Sequence, residues 1–231
     1  MRPLALLLLA VAAWAGEAAS FVMVFDETIG GKPSQAADRA QAEAIAAYHR
    51  DRLARARAEL PALPSALAHF LRADIGATEA ELERLAVTAG GTLRVGRRVV
   101  TLTPESVVVE AEGTRTEVAR ATGAGTSRTA ASAEPQALAM AAPPTPLPAS
   151  RGRPGPPILG RQTLLFTVAT GGRDYAILVD PTLANPFAHL VPREGSDDPL
   201  IGELARMPGA VLEIAHDGGE FVRRLTCVEL R

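Results

Sequence analysis

Residues 143–157 read Pro-Pro-Thr-Pro-Leu-Pro-Ala-Ser-Arg-Gly-Arg-Pro-Gly-Pro-Pro. Proline has no backbone N–H and a fixed φ, so a run this dense can neither continue a helix nor sit inside a central strand. Upstream, from about Arg120, the chain is rich in Ala, Thr, Ser and Gly and shows no apolar periodicity from which a core could be built. The whole segment 120–157 therefore reads as a disordered linker, stiffened toward its C-terminal half by polyproline II character. On that reading two folded units flank a tether, at 21–119 and 158–231, and the fold class is α+β.

The first unit opens with Phe-Val-Met-Val-Phe, a short β-type run from Phe21 to Phe25, and a turn-like stretch from Asp26 to Gly31. Ser34 to Leu60 lacks glycine and proline and is dominated by helix formers, with Ala42, Ile45, His49, Leu53, Ala56 and Leu60 along one stripe. Pro61 and Pro64 stop it. A second helix starts at Ser65 and puts Leu67, Phe70 and Leu71 on one side. A third is marked by a Thr78/Glu81 capping box, by Leu82, Leu85 and Ala86 at helical spacing, and by the Gly90-Gly91 stop.

Beyond Gly91 the period changes to two. Thr92 to Val95 and Arg98 to Thr103 can pair around Gly96-Arg97. Val107 to Val109 and Thr114 to Val118, joined by Glu112-Gly113, complete a small β-meander. Helix, helix with an Ile75-Gly76-Ala77 corner, capped helix and hairpin together resemble a winged helix-turn-helix, with Thr78 to Thr88 as recognition helix and Arg94 to Arg98 as wing. The resemblance would imply DNA binding, but Glu79, Glu81 and Glu83 against the single Arg84 are the wrong charges for a helix between two phosphate backbones. No nucleic-acid partner is expected.

The last unit is β-rich. Thr163 to Thr170 and Tyr175 to Asp180 form a hairpin through Gly171-Gly172, and Pro186 to Val191 reads as a third strand. Ser196-Asp197-Asp198-Pro199 is a helix start, with Leu200, Ile201 and Leu204 as its apolar side and Pro208-Gly209 as its stop. Val211 to Ala215 and Phe221 to Leu230 make the last hairpin. Three strands, a short helix and two strands resemble the element order of an OB-fold, which would imply a small closed barrel folding by itself. The basic, aromatic groove of single-strand binders is missing, so protein contact is the expected use. Alternation along 223–230 puts Leu225 and Cys227 on one face, and Cys227 reads as a buried, inert thiol.

Met1 and Arg2 precede a continuous apolar run, Leu4 to Trp14, that is shorter than the ~20 residues of a spanning helix. With Ala13 and Ala15 at the positions a signal peptidase requires, the segment reads as a secretory signal peptide, 1–15, cleaved before Gly16; Gly16 and Ala18 offer a secondary site. An uncleaved anchor is the alternative. No cysteine follows the run, which excludes lipid anchoring. Export to the periplasm or medium follows as the expected localisation, with no stable membrane anchor after cleavage.

The 231 residues carry 24 basic and 26 acidic side chains, a balance that creates no global field for nucleic acid or an anionic membrane. Lys32 is the sole lysine and alanine is abundant, a composition of G+C-rich bacterial coding. One cysteine allows neither an internal disulfide nor a cysteine-based zinc site. The four histidines, His49, His69, His189 and His216, have no metal-binding spacing, and no phosphate loop, dinucleotide turn or nucleophile elbow occurs. No cofactor and no metal are expected, and nothing specifies an oligomeric state. The adjacent pairs Asp26-Glu27 and His216-Asp217 point to opposite faces of extended chain, so neither suits one substrate. A spatial triad of His189, Asp180 and a serine is the catalytic arrangement left open.

Two functions are compatible with these observations. One is a non-catalytic envelope or secreted protein that contacts partner proteins, an interaction or assembly factor. The other is a periplasmic hydrolase or ligand-binding protein whose site is assembled from scattered residues. Shallow grooves would favour the first; a deep pocket with two titratable groups within hydrogen-bond reach would favour the second.

Overall fold

The computed structural model describes residues 20–31, 39–89, 92–130, 134–194, 198–218 and 221–231. The expected signal peptide lies outside the described residues, as do the first residues of the expected helix 34–60, the Gly90-Gly91 stop of the expected third helix and Ser196-Asp197 of the expected helix start.

The most apolar run of the described residues starts the fold. Phe21–Gly31 is strand β1, and Phe21, Met23, Val24 and Phe25 are all buried, side chains of both parities included. A strand hidden on both faces belongs in the middle of a sheet, and β1 is there. The eleven strands among the described residues form one antiparallel sheet in the order β6-β5-β4-β3-β2-β1-β11-β10-β9-β8-β7. One wing is the meander β2 (Thr92–Leu102), β3 (Ser106–Ala111), β4 (Thr114–Ala119), β5 (Ala124–Thr129) and β6 (Gln136–Ala139). The other comprises β7 (Arg153–Ile158), β8 (Arg161–Thr170), β9 (Arg173–Asp180), β10 (Ala210–Asp217) and β11 (Phe221–Leu230). First and last strands of the chain meet at the centre, where Phe25 lies opposite Cys227 and Ile29 opposite Arg223.

Helices α1 (Arg39–Glu59) and α2 (Ser65–Ala89) connect β1 to β2 and cover the far end of both. Ala46 and Leu53 of α1 and Leu82 and Leu85 of α2 pack with Ile29, Leu93 and Val95. A second core joins Phe21, Met23, Phe25, Val100, Leu102 and Val107 to Ala210, Leu212 and Cys227. A third holds Phe166, Ile177, Val179 and Val211 against Leu204 and Met207, around α3 (Pro199–Ala205). Asp198 caps α3, accepting from the Leu200 N–H at 2.9 Å.

This architecture, one open antiparallel sheet, corrects the expected fold class at several points. The segment read as a disordered linker is built into the sheet: β5, β6 and β7 all fall within 120–158. Its prolines fit because β7 is an edge strand, where a missing N–H on the solvent side breaks no ladder bond. The pairing of Arg153 with Leu165 and of Gly155 with Thr163 becomes irregular at Pro156-Pro157. Gly155 is required by close approach, since a Cβ there would lie 2.6 Å from Thr163 Oγ1. Farther back, the Leu147 N–H donates to Arg206 O at 2.7 Å, fastening the proline run to the end of α3.

The winged-helix arrangement is also absent. Ser65–Ala89 is one continuous helix without a corner at Gly76, and Thr78 does not cap it: its Oγ1 donates to Asp74 O, one turn back, as in a helix interior. The expected wing hairpin is instead the single strand β2, with a bulge near Gly96 opposite Glu27. The α1 stripe is partly displaced: Ala46, Leu53 and Ala56 are buried, whereas Ile45 is exposed.

Nor does the C-terminal unit close into a barrel. β11 pairs with β1 as well as with β10, so the sheet stays open and ends at β6 and β7. The third strand expected at 186–191 is a single tight turn, Pro186–His189, because Asn185 caps it by accepting from the Phe187 N–H and donates its side-chain amide to Leu204 O at 2.8 Å.

Candidate functional site

β1 carries one charged residue into the sheet–helix seam. Alternation places Glu27 on the face of Phe25 and Ile29, between the first-strand core and the helical pair. Its Oε2 accepts from Arg98 at 3.0 Å, and Arg223 Nε lies 3.8 Å from Oε1. Burial works to raise the Glu27 pKa, but the guanidinium groups of Arg98, Arg223 and Arg57 outweigh it and hold the carboxyl below its usual range. The bulge leaves room for this: a Cβ at Gly96 would approach Glu27 Oε2 to 3.5 Å and Glu112 Oε1 to 3.1 Å.

Arg57 extends the cluster from α1. It donates to both oxygens of Glu112, at 2.6 and 2.5 Å, and to Glu79 of α2 at 2.5 Å. Glu112 is the first residue of the two-residue β3–β4 turn and has φ 49°, with Gly113 at 76°. A type I′ turn ordinarily takes Asn, Asp or Gly there; here the fork of Arg57 holds a glutamate in place. The cluster thus ties both helices to β1, β2 and the β3–β4 turn.

Next to it, α2 and the ends of β9, β10 and β11 enclose an open groove of about 520 Å³, lined by Glu83, Gly172, Arg173, Asp174, His216, Asp217, Gly218, Phe221 and Arg223. The His216 ring stacks on Phe221, with centroids 6.2 Å apart and planes at 13°, and meets the edge of Tyr175 at 5.5 Å. His216 and Arg223 are direct cross-strand partners. Glu83 lies 3.6 Å from Arg223. His216 Nδ1 and Arg223 Nε are both buried and, among the described residues, without a hydrogen-bond partner.

The catalytic arrangement left open by the sequence is not assembled. Asp180 is engaged elsewhere: Arg161 donates to Oδ2, and Thr182 donates to Oδ1 from its N–H at 2.9 Å and its hydroxyl at 2.6 Å. Burial works to raise the Asp180 pKa, and those bonds with Thr182 and Arg161 more than offset it, lowering it below the usual range. His189 Nε2 accepts from Arg120 at 3.3 Å, and burial, reinforced by that cation, pushes its pKa down. Among the described residues no serine, threonine or cysteine side chain hydrogen-bonds a histidine. His49 and His69 stand on the helices beside Tyr48 and Phe70. Asp26 lies 3.8 Å from Arg94, away from the Glu27 cluster. Cys227 is 1% exposed in the first-strand core, where burial pushes the thiol up. Among the described residues, no group of three or more His, Cys, Asp or Glu is placed to hold a metal ion, and no helix is long and apolar enough to cross a membrane.

In the linear chain Glu27 is only half of an adjacent acidic pair; its partners lie 71 and 196 positions away at Arg98 and Arg223. The adjacent pair His216-Asp217, which alternation sends to opposite faces, lines one groove at the strand end together with Arg223. No local motif joins such residues; only the strand register does.

No protein-family model matches the chain, and no curated protein is significantly similar to it in sequence.

Proposed function

We propose that the protein is an exported, non-catalytic envelope or secreted factor that works by holding a partner protein on its helical pair. The observation that carries this reading is the exposure of large apolar side chains on the helices: Tyr48 is 61%, Leu67 54% and Phe70 71% exposed, on elements whose other side chains bury Leu53 and Leu82. Scattered apolar residues are ordinary on a surface; large aromatics on two packed helices are the usual anchors of an interface. The sheet edges speak for docking by side chains rather than by strand addition. β7 presents Pro154, Pro156 and Pro157, and beside β6 the segment 191–193 already pairs with Ala139–Ala141, Arg193 N–H donating to Ala139 O at 2.9 Å. Arg98 holds a structural carboxylate and Asp180 a structural turn, which leaves these charges to the fold.

The test places a photo-crosslinking side chain at Tyr48, at Phe70 and, for contrast, at Arg115 on exposed β4, in the native host. One discrete adduct from the first two positions and none from the third is the expected result. Adducts distributed equally over all three would overturn the reading. The same material tests export: its N-terminus should map to Gly16 or within a few residues of it, and recovery from Met1 in the membrane fraction would refute cleavage.

A further inference from the structure

The groove between α2 and the ends of β9–β11 contains hydrogen-bonding capacity that the fold does not use. A buried donor or acceptor without a partner destabilises a fold, and among the described residues two such atoms, His216 Nδ1 and Arg223 Nε, occur on directly paired residues of one cavity. Arg223 is suspended between Glu27 at 3.8 Å and Glu83 at 3.6 Å, both beyond hydrogen-bond range. The volume, about 520 Å³, falls within the ~300–1,000 Å³ of small-molecule sites.

The charges define the ligand class. Arg173 sits beside Asp174, Arg223 opposite Glu83, and Asp217 beside His216, so the two signs alternate around the lining. A phosphate or other polyanion would face three carboxylates, and the carboxylates are not grouped as metal ligands. What matches alternating planar donors and acceptors is a neutral ligand with many hydroxyls, each of which donates to a carboxylate and accepts from a guanidinium at the same time. Phe221, stacked on His216 and partly buried against the helical core, makes the apolar end of the groove. We infer that the groove lined by Arg173, Asp174, His216 and Arg223 binds a neutral saccharide. Glu83 is the α2 residue of this site, about 20 Å along the helix from Phe70, so the site and the proposed partner surface stand or fall separately.

The experiment titrates the purified, isotopically labelled protein with chitobiose, cellobiose and maltose to about 20 mM, enough to reveal millimolar affinity, and with inorganic phosphate. The readout is the NMR signals of the His216 ring and the Arg223 Nε–H. Saturable shifts with at least one disaccharide are expected. Asp174→Asn and Arg173→Ala, both at the exposed rim, should each weaken that binding about tenfold with the thermal transition unchanged. The inference is overturned if none of the three sugars gives a saturable shift, if phosphate moves these signals and the sugars do not, or if both rim variants bind as tightly as the parent.

Discussion

Glu27 is the residue whose charge the fold can least do without. Its carboxylate is 9% exposed and held by Arg98, itself 43% exposed. Removing one partner of a fully buried pair costs ~3–5 kcal/mol; with Arg98 half in water, Glu27→Ala should cost about 2 kcal/mol by denaturant unfolding. The sign with pH follows from the lowered pKa. The folded protein binds a proton at Glu27 less readily than the unfolded chain does, so the contribution is complete above the ordinary value of 4.5 and is lost as pH falls through the lower folded value. The stability difference between parent and Glu27→Gln should therefore be full at neutral pH and shrink below about pH 4.5; a difference independent of pH would show that the charge is not the cause. Leu159 makes the opposite case. It occupies the β7–β8 turn at φ 51°, 48% exposed, followed by Gly160 at 74°. A left-handed backbone costs an ordinary residue ~1–2 kcal/mol and asparagine less, so Leu159→Asn should stabilise the protein by about 0.5–1 kcal/mol, seen as a higher Tm.

At the scale of elements, α2 shows how tertiary contacts override local punctuation. Gly76 flanked by Ile75 and Ala77 looks like a corner, yet the helix runs through it, with Ala68 buried on one side of the glycine and Leu82 and Leu85 on the other. A continuous helix gains from both ends at once. The glycine remains a defect in it: Gly76 is exposed, and a Cβ there would meet nothing within 4 Å. Gly76→Ala should raise stability by about 1 kcal/mol. Were a helix–corner–helix present, the same change would be neutral or unfavourable, so thermal denaturation of this one variant tells the two arrangements apart.

For the whole molecule the decisive feature is the meeting of the chain's two ends. β1 lies between β2 and β11, and Val22 and Arg231 exchange backbone hydrogen bonds at 2.7 and 3.0 Å. The core around Phe21, Met23 and Phe25 takes Ala210, Leu212 and Cys227 from the other end of the chain. A fragment of residues 158–231 would expose that side of β11 and lose the partners of its core residues. Expressed alone, it should show no cooperative thermal transition, and Cys227 in it should react with thiol reagents as fast as in a peptide. A cooperative transition close to that of the full chain would show that the two wings are independent after all.

What could be read locally was right where the signal is local. The Gly171-Gly172 and Glu112-Gly113 hairpins, the Asp198-Pro199 helix start, the extent of α1 beyond residue 39 and the burial of Cys227 each depend on a few adjacent residues whose φ preferences, capping groups or alternation suffice. The errors arose wherever a segment takes its structure from a distant neighbour. Pro154 and Gly155 are strand only because β8 lies alongside; Asp26 to Gly31 is strand only because β2 and β11 flank it; Thr92 to Leu102 is one strand rather than a hairpin because β1 supplies the partner. The charge cluster and the groove have the same origin. Glu27, Arg57, Arg98 and Arg223 are unremarkable surface-type residues in the linear chain, and it is the register of a central strand, set by apolar burial at Phe21, Met23, Phe25 and Ile29, that brings them within reach of one another.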